Sequence, residues 1–308
     1  MATIAQTLTE SPLKSQLFPE IKQILFATDF SEASNAALPF AAALARAFQS
    51  ELHLLHLLMP EMYQFLPPQG MPAAIESLES DASARMERLK TSSALDDIKV
   101  SSAEIMKGEL GILLKQIQDR NIDLLVIGTH GRRGFRRLLL GSIAEEIIRH
   151  ACCPVLTVGP HVHCSSTGEF HPKHVLFATD ASPDSFRALP YAVKFANREC
   201  SDVILVHVLE RGDAKSPEAN AFAALMRESL HHTIPLNAIK SCTPEILVRF
   251  GDSVEQILDA ARERESELIV MGARSGTMKL EKALSKGVSN GVIAAATCPV
   301  LTVRGRDL

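Results

Sequence analysis

The chain has 308 residues, of which 46% are hydrophobic and 22% charged, with a formal net charge of -4. At roughly 100–200 residues per domain that length points to two domains, and the composition excludes a disordered chain. A net negative charge, no Trp and only 5% aromatics leave neither the basic field nor the stacking rings that a nucleic-acid binder needs.

Met1 to Gln23 has no basic start followed by an apolar core, so no secretory signal is expected, and residues 1–20 read as a tail. Ile24 to Ala27 is a short apolar strand closed by Thr28 and Asp29, and Ser31 is a candidate N-cap for the helix behind it. Pro39 falls inside that helical pattern, which predicts a kink or a late start. The apolar run around it, Ala36 to Ala45, is far shorter than the ~20 residues of a membrane span. Glu51 to Leu58 reads as a second strand, Ser77 to Lys90 as an amphipathic helix, and Val100 to Ile105 as a third strand. Glu109 to Asp119 fits a helix, Asp123 to Ile127 a strand, Ser142 to His150 a helix and Val155 to Val158 a last strand. Strands spaced by helices imply βαβ units and a parallel, doubly wound sheet. Their nearly continuous apolar character suits strands covered on both faces.

The same order then recurs. ILFATDFS at Ile24 to Ser31 returns as VLFATDAS at Val175 to Ser182, and ALPFA at Ala37 returns as ALPYA at Ala188, with Pro190 in the place of Pro39. LLVIGTHG at Leu124 is answered by LIVMGARS at Leu268, and CPVLTV stands at both Cys153 and Cys298. Ordered matches of this kind mark a duplication. The expected division is a first domain over 21–160, a polar linker over 161–173 and a second domain over 174–308. Each CPVLTV strand, Val155 to Val158 and Val300 to Val303, would leave a bare sheet edge if unpaired.

In open α/β sheets a ligand sits beyond the carboxyl ends of the strands, where the strand order reverses. Thr28 and Asp29 close the first strand there. Gly128 closes the fourth and opens the loop GTHGRRGFRRLLLGS, whose glycines Gly128, Gly131, Gly134 and Gly141 let backbone amides approach an anion. Ser142 then begins a helix whose positive end favours phosphate, and Arg132, Arg133, Arg136 and Arg137 supply fork-like donors. The competing reading is structural: Asp29 as a helix cap, Gly128 as an ordinary turn, the arginines as a solvated face.

The spacing Gly128-x2-Gly131-x9-Gly141-Ser142 matches the nucleotide motif of the universal stress protein family in its ATP-binding subgroup. The ATDFS start, His56 followed by Leu57, and the CPVLTV end are similar to that family too, so the chain resembles a tandem universal stress protein over nearly its whole length. The resemblance implies two tandem α/β domains, each with a five-stranded parallel sheet in the order 3-2-1-4-5. It implies that Thr28, Asp29 and the backbone at Leu57 and Ile127 line an adenosine end. Gly128, Gly131, Arg132, Gly141, Ser142 and the Ile143 backbone would hold ribose and phosphates of ATP or a related adenine nucleotide. Family members pair through their last strands, which implies pairing of the two domains within the chain and leaves further dimerisation or a protein partner open. The activity implied is binding, at most with very slow ATP hydrolysis, in a cytoplasmic stress-response regulator. The alternative is a protein-interaction platform that binds no nucleotide.

The second half departs from the motif. It reads Gly272-x3-Gly276-x10-Gly287-Val288. Counted forward from the strand, Ser275 takes the place of a glycine; counted back from CPVLTV, Lys286 stands opposite Gly141. In either register the hydroxyl of Ser142 has no counterpart, although Asp180 and Val208 match the adenosine side. The expectation is one ATP per chain, in the first half. Cys152, Cys153, Cys164, Cys200, Cys242 and Cys298 show no CxxC spacing and are too sparse for a disulfide scaffold, as in a reducing cytoplasm. No catalytic triad, activated cysteine or acid–base carboxylate pair stands out. The linker places His161, His163, Cys164, His171 and His174 close together, a donor set suited to zinc, against which a solvated linker is the preferred reading.

Overall fold

A computed structural model describes residues 18–60, 71–129, 140–162, 169–196, 201–210, 216–233, 244–273 and 287–304. The chain forms two compact units, Ile21–Phe170 with Ala273–Leu308, and Met1–Glu20 with His171–Gly272.

The first unit contains β1 (Gln23–Ala27), α1 (Glu32–Phe48), β2 (Glu51–Leu58), α2 (Met71–Lys90), β3 (Val100–Lys107), α3 (Leu110–Asp119), β4 (Leu124–Gly128), α4 (Ser142–His150) and β5 (Val155–Val158). Its strands run parallel in the order β3-β2-β1-β4-β5. The central strands are apolar along their length because helices cover both faces: Ile24, Phe26, Leu124, Leu125 and Val126 are fully buried. Ser31 caps α1 as expected, its side chain accepting from the Ser34 amide. At the opposite end of β1, the Asp123 carboxylate accepts from the amides of Lys22 and Gln23 at 2.8 and 2.9 Å, tying the start of β1 to the start of β4.

The second unit contains β6 (His174–Ala178), α5 (Pro183–Phe186), α6 (Leu189–Phe195), β7 (Asp202–Leu209), α7 (Pro217–Thr233), β8 (Glu245–Phe250), α8 (Ser253–Glu263) and β9 (Leu268–Ala273). Its parallel order is β8-β7-β6-β9, the same winding as the first four strands. The two prolines behave differently. Pro190 sits in the first turn of α6, after a break at Arg187 and Ala188, where a missing N–H costs nothing. Pro39 lies within an unbroken α1, so the expected late start occurs only in the second repeat. Burial of Leu38, Phe40 and Ala41 to Ala45 outweighs the bond that Pro39 withholds from the preceding turn.

The last elements, α9 (Val288–Ala295) and β10 (Val300–Arg304), belong to the first unit. β10 pairs antiparallel with β5, Val300 opposite Thr157, Leu301 opposite Leu156 and Thr302 opposite Val155. Thr157 Oγ1 donates to the Val300 carbonyl at 3.0 Å and Thr302 Oγ1 to that of Val155 at 3.3 Å. The pairing expected of the two CPVLTV segments is therefore present, and it removes the free edge of β5. Leu301 is fully buried, whereas Leu225 on α7 is 64% exposed. Leu301→Ala should lower the unfolding free energy by about 2–5 kcal/mol, and Leu225→Ala by well under 1 kcal/mol, in urea titrations of the full chain.

One polar cluster lies within this sheet. His53 Nε2 donates to Gln23 Oε1 at 2.7 Å, so its Nδ1 accepts from the Ser102 hydroxyl at 2.9 Å, and Ser102 Oγ accepts from Arg120 at 2.6 Å. Arg120 also pairs with Glu104. Burial holds the His53 ring below its ordinary value of 6.5, the nearby Arg120 adds to this, and Glu51 and Glu104 act against it. A ring that is harder to protonate folded than unfolded contributes stability above about pH 6.5 that is lost as the pH falls. His53→Gln should therefore flatten the decline in urea midpoint between about pH 6.5 and 5 relative to the parent protein.

Candidate functional site

The site expected from the sequence lies at the carboxyl ends of β1 and β4. β1 is flanked by β2 on one side and β4 on the other, which makes this the point where the winding reverses. β1 ends in register with β2 at Ala27 and Leu55, and the ladder extends one step further through the Thr28 amide, which donates to the Leu55 carbonyl at 2.9 Å. Leu57, half-buried, lies two residues beyond that register, alongside the turn that follows β1.

That turn is held by short local bonds. Thr28 is buried, and its Oγ1 accepts from the Phe30 amide at 2.9 Å. Asp29 Oδ1 accepts from the Ser31 amide at 2.9 Å and from the Ser34 hydroxyl at 2.6 Å. Between them Phe30 adopts φ 59°, a left-handed conformation that costs a non-glycine residue about 1–2 kcal/mol. The Phe30 ring lies 4.4 Å, centroid to centroid, from the ring of buried His56, whose Nδ1 donates to the Thr28 carbonyl at 2.7 Å. Ser31, not Asp29, is the cap that the structural reading looked for; Asp29 holds the turn ahead of it, and is half-buried and fixed in direction by these two bonds.

Gly128 forms the other lip. A Cβ built on it would stand 2.5 Å from the Ala33 carbonyl oxygen and 2.8 Å from the Ser34 nitrogen. Glycine is required here because the end of β4 lies against the backbone of the first turn of α1. Ile127 is buried and registers with Ala27 and Thr157. Next in the chain, buried Thr129 donates its amide to the Val158 carbonyl at 3.1 Å and accepts the Gly141 amide at 3.0 Å. Gly141 (φ -63°) is the N-cap of α4 without a side-chain cap, and a Cβ on it would meet the Thr129 carbonyl oxygen at 3.0 Å. The structure therefore connects Asp29, Gly128 and Gly141 through Ser34, Ala33 and Thr129. Ser142 and Ile143, on the exposed first turn of α4, follow directly. Gly131 and Arg132, with the other three loop arginines, lie outside the described residues.

Thr129, Ser34 and Phe30 were absent from the expected site. The repeat carried a signal for one of them, since Ser34 and Ser185 occupy equivalent places in the two halves, as His56 and His207 do. In the second repeat His207 Nδ1 likewise donates to the Thr179 carbonyl at 2.9 Å, Ala181 adopts φ 63°, and Gly272 approaches Ser185 as Gly128 approaches Ala33. The differences are local. Asp180 is exposed, its Oδ1 accepts from the Ser182 amide, and Ser185 Oγ lies near Thr179 Oγ1 while donating to the Ser182 carbonyl. The helix after the second loop is N-capped by Gly287 and begins at Val288. The bodies of the two helices correspond as counted back from CPVLTV, the Ile147 carbonyl accepting from Ala151 as the Val292 carbonyl accepts from Ala296, so Gly287 stands opposite Ser142 and the hydroxyl has no counterpart; Lys286, opposite Gly141, lies outside the described residues.

Other expected chemistry is limited. Burial pushes the Cys153 thiol up to about 12, which leaves it unreactive at neutral pH. Among the described residues there is no cluster of three or more metal-ligating side chains, and His163 and Cys164 lie outside them. His174 Nδ1 lies 3.8 Å from the Asp202 carboxylate. Among the described residues no helix is long and apolar enough to cross a membrane.

The glycine contacts predict an ordered response to alanine. Gly128→Ala should cost about 3 kcal/mol or more, because backbone stands on both sides. Gly141→Ala should cost roughly 1 kcal/mol, and Gly287→Ala, whose Cβ meets nothing within 4 Å among the described residues, should leave the melting temperature unchanged. Calorimetric melting of the three variants checks the order.

The description of the matching family is Universal stress protein family, and its model covers residues 20–159 and 171–304. A universal stress protein of Mycolicibacterium smegmatis is 25% identical over 298 residues, 92% of this chain and 97% of the relative. One of Methanocaldococcus jannaschii is 29% identical over 138 residues, 44% of this chain and 81% of the relative. The crystal structure of a universal stress protein from Archaeoglobus fulgidus aligns with a TM-score of 0.68 at 22% identity, covering 95% of this chain and 100% of that one, a likeness of fold.

Proposed function

Since this chain belongs to the universal stress protein family and carries its domain twice, we propose that it binds one ATP per chain, in the first repeat, as a nucleotide-dependent regulator of stress adaptation in the cytoplasm. The single observation that carries this reading is the meeting of Asp29, Gly128 and Gly141 at the strand-order reversal, linked through Ser34, Ala33 and Thr129. Asp29 and the backbone at Leu57 and Ile127 take the adenosine. Gly128, Gly131, Arg132, Gly141, Ser142 and the Ile143 amide take the ribose and phosphates. A helix start capped by glycine offers its first amides to an anion, and the helix dipole adds to the attraction.

Hydrolysis is no part of the proposal beyond a very slow background rate. The second repeat lacks the Ser142 hydroxyl, and its exposed Asp180 is held differently from Asp29. Losing two hydrogen bonds to charged oxygens, at roughly 1.5–3 kcal/mol each, weakens binding by about two to four orders of magnitude.

Titration of ATP into the full chain by calorimetry should return one site. Gly141→Asp should abolish it, while Gly141→Ala, which shares the contact with Thr129 but adds no charge, should weaken it by about tenfold. Asp180→Ala should leave affinity within about twofold. Two equivalent sites, or binding that survives Gly141→Asp, would overturn the assignment. No binding at all would favour the second reading, a protein-interaction platform.

A further inference from the structure

We infer that His56 is a positioning residue that aims the Asp29 carboxylate, and that this sets the affinity of the first repeat for its ligand. The inference rests on the proposed nucleotide site for its consequence, but not for its geometry. His56 is buried on β2 and holds the turn after β1 from two directions. Its Nδ1–H is given to the Thr28 carbonyl at 2.7 Å, and its ring lies against that of Phe30 at 4.4 Å. Asp29 is the residue between these two attachments. With the Thr28 amide given to Leu55 and Thr28 Oγ1 taking the Phe30 amide, the backbone on both sides of Asp29 is fixed.

The left-handed conformation at Phe30 makes such support necessary, because an unsupported aromatic residue at φ 59° relaxes to the ordinary side of φ. Relaxation turns the Ser31 amide and the Asp29 carboxylate away from each other and breaks the 2.9 Å bond between them. The second repeat is a built-in comparison. His207 makes the same bond to Thr179, but Ala181 offers no ring and Asp180 is exposed. There Asp180 Oδ1 accepts the Ser182 amide at 3.0 Å as Asp29 accepts that of Ser31, so the turn is common to both repeats; what the first repeat adds is the Phe30 ring on His56 and the Ser34 hydroxyl on Asp29.

The test uses the full chain with three substitutions. His56→Phe keeps a ring beside Phe30 and removes the donor; His56→Asn keeps a donor at the distance of Nδ1; His207→Phe makes the equivalent cut in the other repeat. Without any ligand, hydrogen exchange of the Ser31 amide by NMR should accelerate at least about tenfold in His56→Phe, by less in His56→Asn, which keeps the donor but loses the ring, and stay near parental in His207→Phe. ATP affinity should follow the same order, about tenfold weaker in His56→Phe. Unchanged Ser31 exchange in His56→Phe overturns the positioning role outright. Accelerated exchange with ATP affinity equal to that of His207→Phe overturns the link to binding. If the parent chain takes up no ATP, the nucleotide reading fails, and the Ser31 result alone decides the role of His56.

Discussion

The constraint on which the first repeat turns is a contact between two stretches of backbone. At the end of β4 the Gly128 α-carbon lies so close to the first turn of α1 that a methyl group would stand 2.5 Å from the Ala33 oxygen. The approach fixes the first turn of α1, and with it Ser34, whose hydroxyl holds Asp29. It also fixes where the chain leaves β4, so that Thr129 can take the Gly141 amide and seat the start of α4. Two lips made by residues a hundred positions apart are thereby referred to one contact. The same approach is made by Gly272 on Ser185, so it belongs to the fold before it belongs to any ligand.

Because that framework is shared, the differences between the repeats become informative. From the sequence the divergence appeared confined to the phosphate loop, since Asp29 and Asp180 match. The structure places a second divergence at the carboxylates themselves. Ser34 donates to Asp29, whereas the equivalent Ser185 donates to a backbone carbonyl; Phe30 rests on a histidine, whereas Ala181 cannot. The starts of the two loop-following helices differ in the same sense. Gly141 sits under the Thr129 carbonyl, where only a glycine fits without movement, while a side chain on Gly287 would meet nothing within 4 Å among the described residues. The close approach of Gly128 and Gly272 is common to both repeats; the difference lies in the turn after the first strand and in the start of the loop-following helix.

Much of this architecture was legible in the sequence because its signals are local and doubled. Apolar runs such as LLVIG, the Ser31 cap and the alternation of strands with helices each have one short-range cause, and each appears twice. That the edges of β5 and β10 need a partner was legible as well, and the family resemblance implied that each is the other's. What escaped were properties set by distance across the fold. Gly128 looked like a flexible residue in a phosphate loop, but its φ is not the reason for it; the neighbour is. The two prolines look alike in ALPFA and ALPYA, yet one sits within a helix and the other in a first turn, because tertiary burial decides whether a helix runs through. The second loop shows the same limit. Counting back from the last strand carries through the helix, where Val292 and Ala296 repeat the bond of Ile147 and Ala151, whereas the helix itself starts one residue later, at Val288.

The double employment of Asp29 bears on how such a site works. Taken as rivals, a turn-holding role and a ligand role would exclude each other. Physically they cooperate. A carboxylate on a flexible turn must be ordered when a ligand arrives, at a cost in conformational entropy of the same order as one hydrogen bond. Here Oδ1 is already held by the Ser31 amide and the Ser34 hydroxyl, and the turn beneath it by Thr28, Phe30 and His56. The ordering is complete before any ligand binds, and it is supplied by folding. The same economy governs Gly141: the bond from its amide to Thr129 fixes where α4 begins, so the helix end is aimed in the free protein. A structural role for these residues is therefore no argument against a binding role; it is the means by which a rigid one is built.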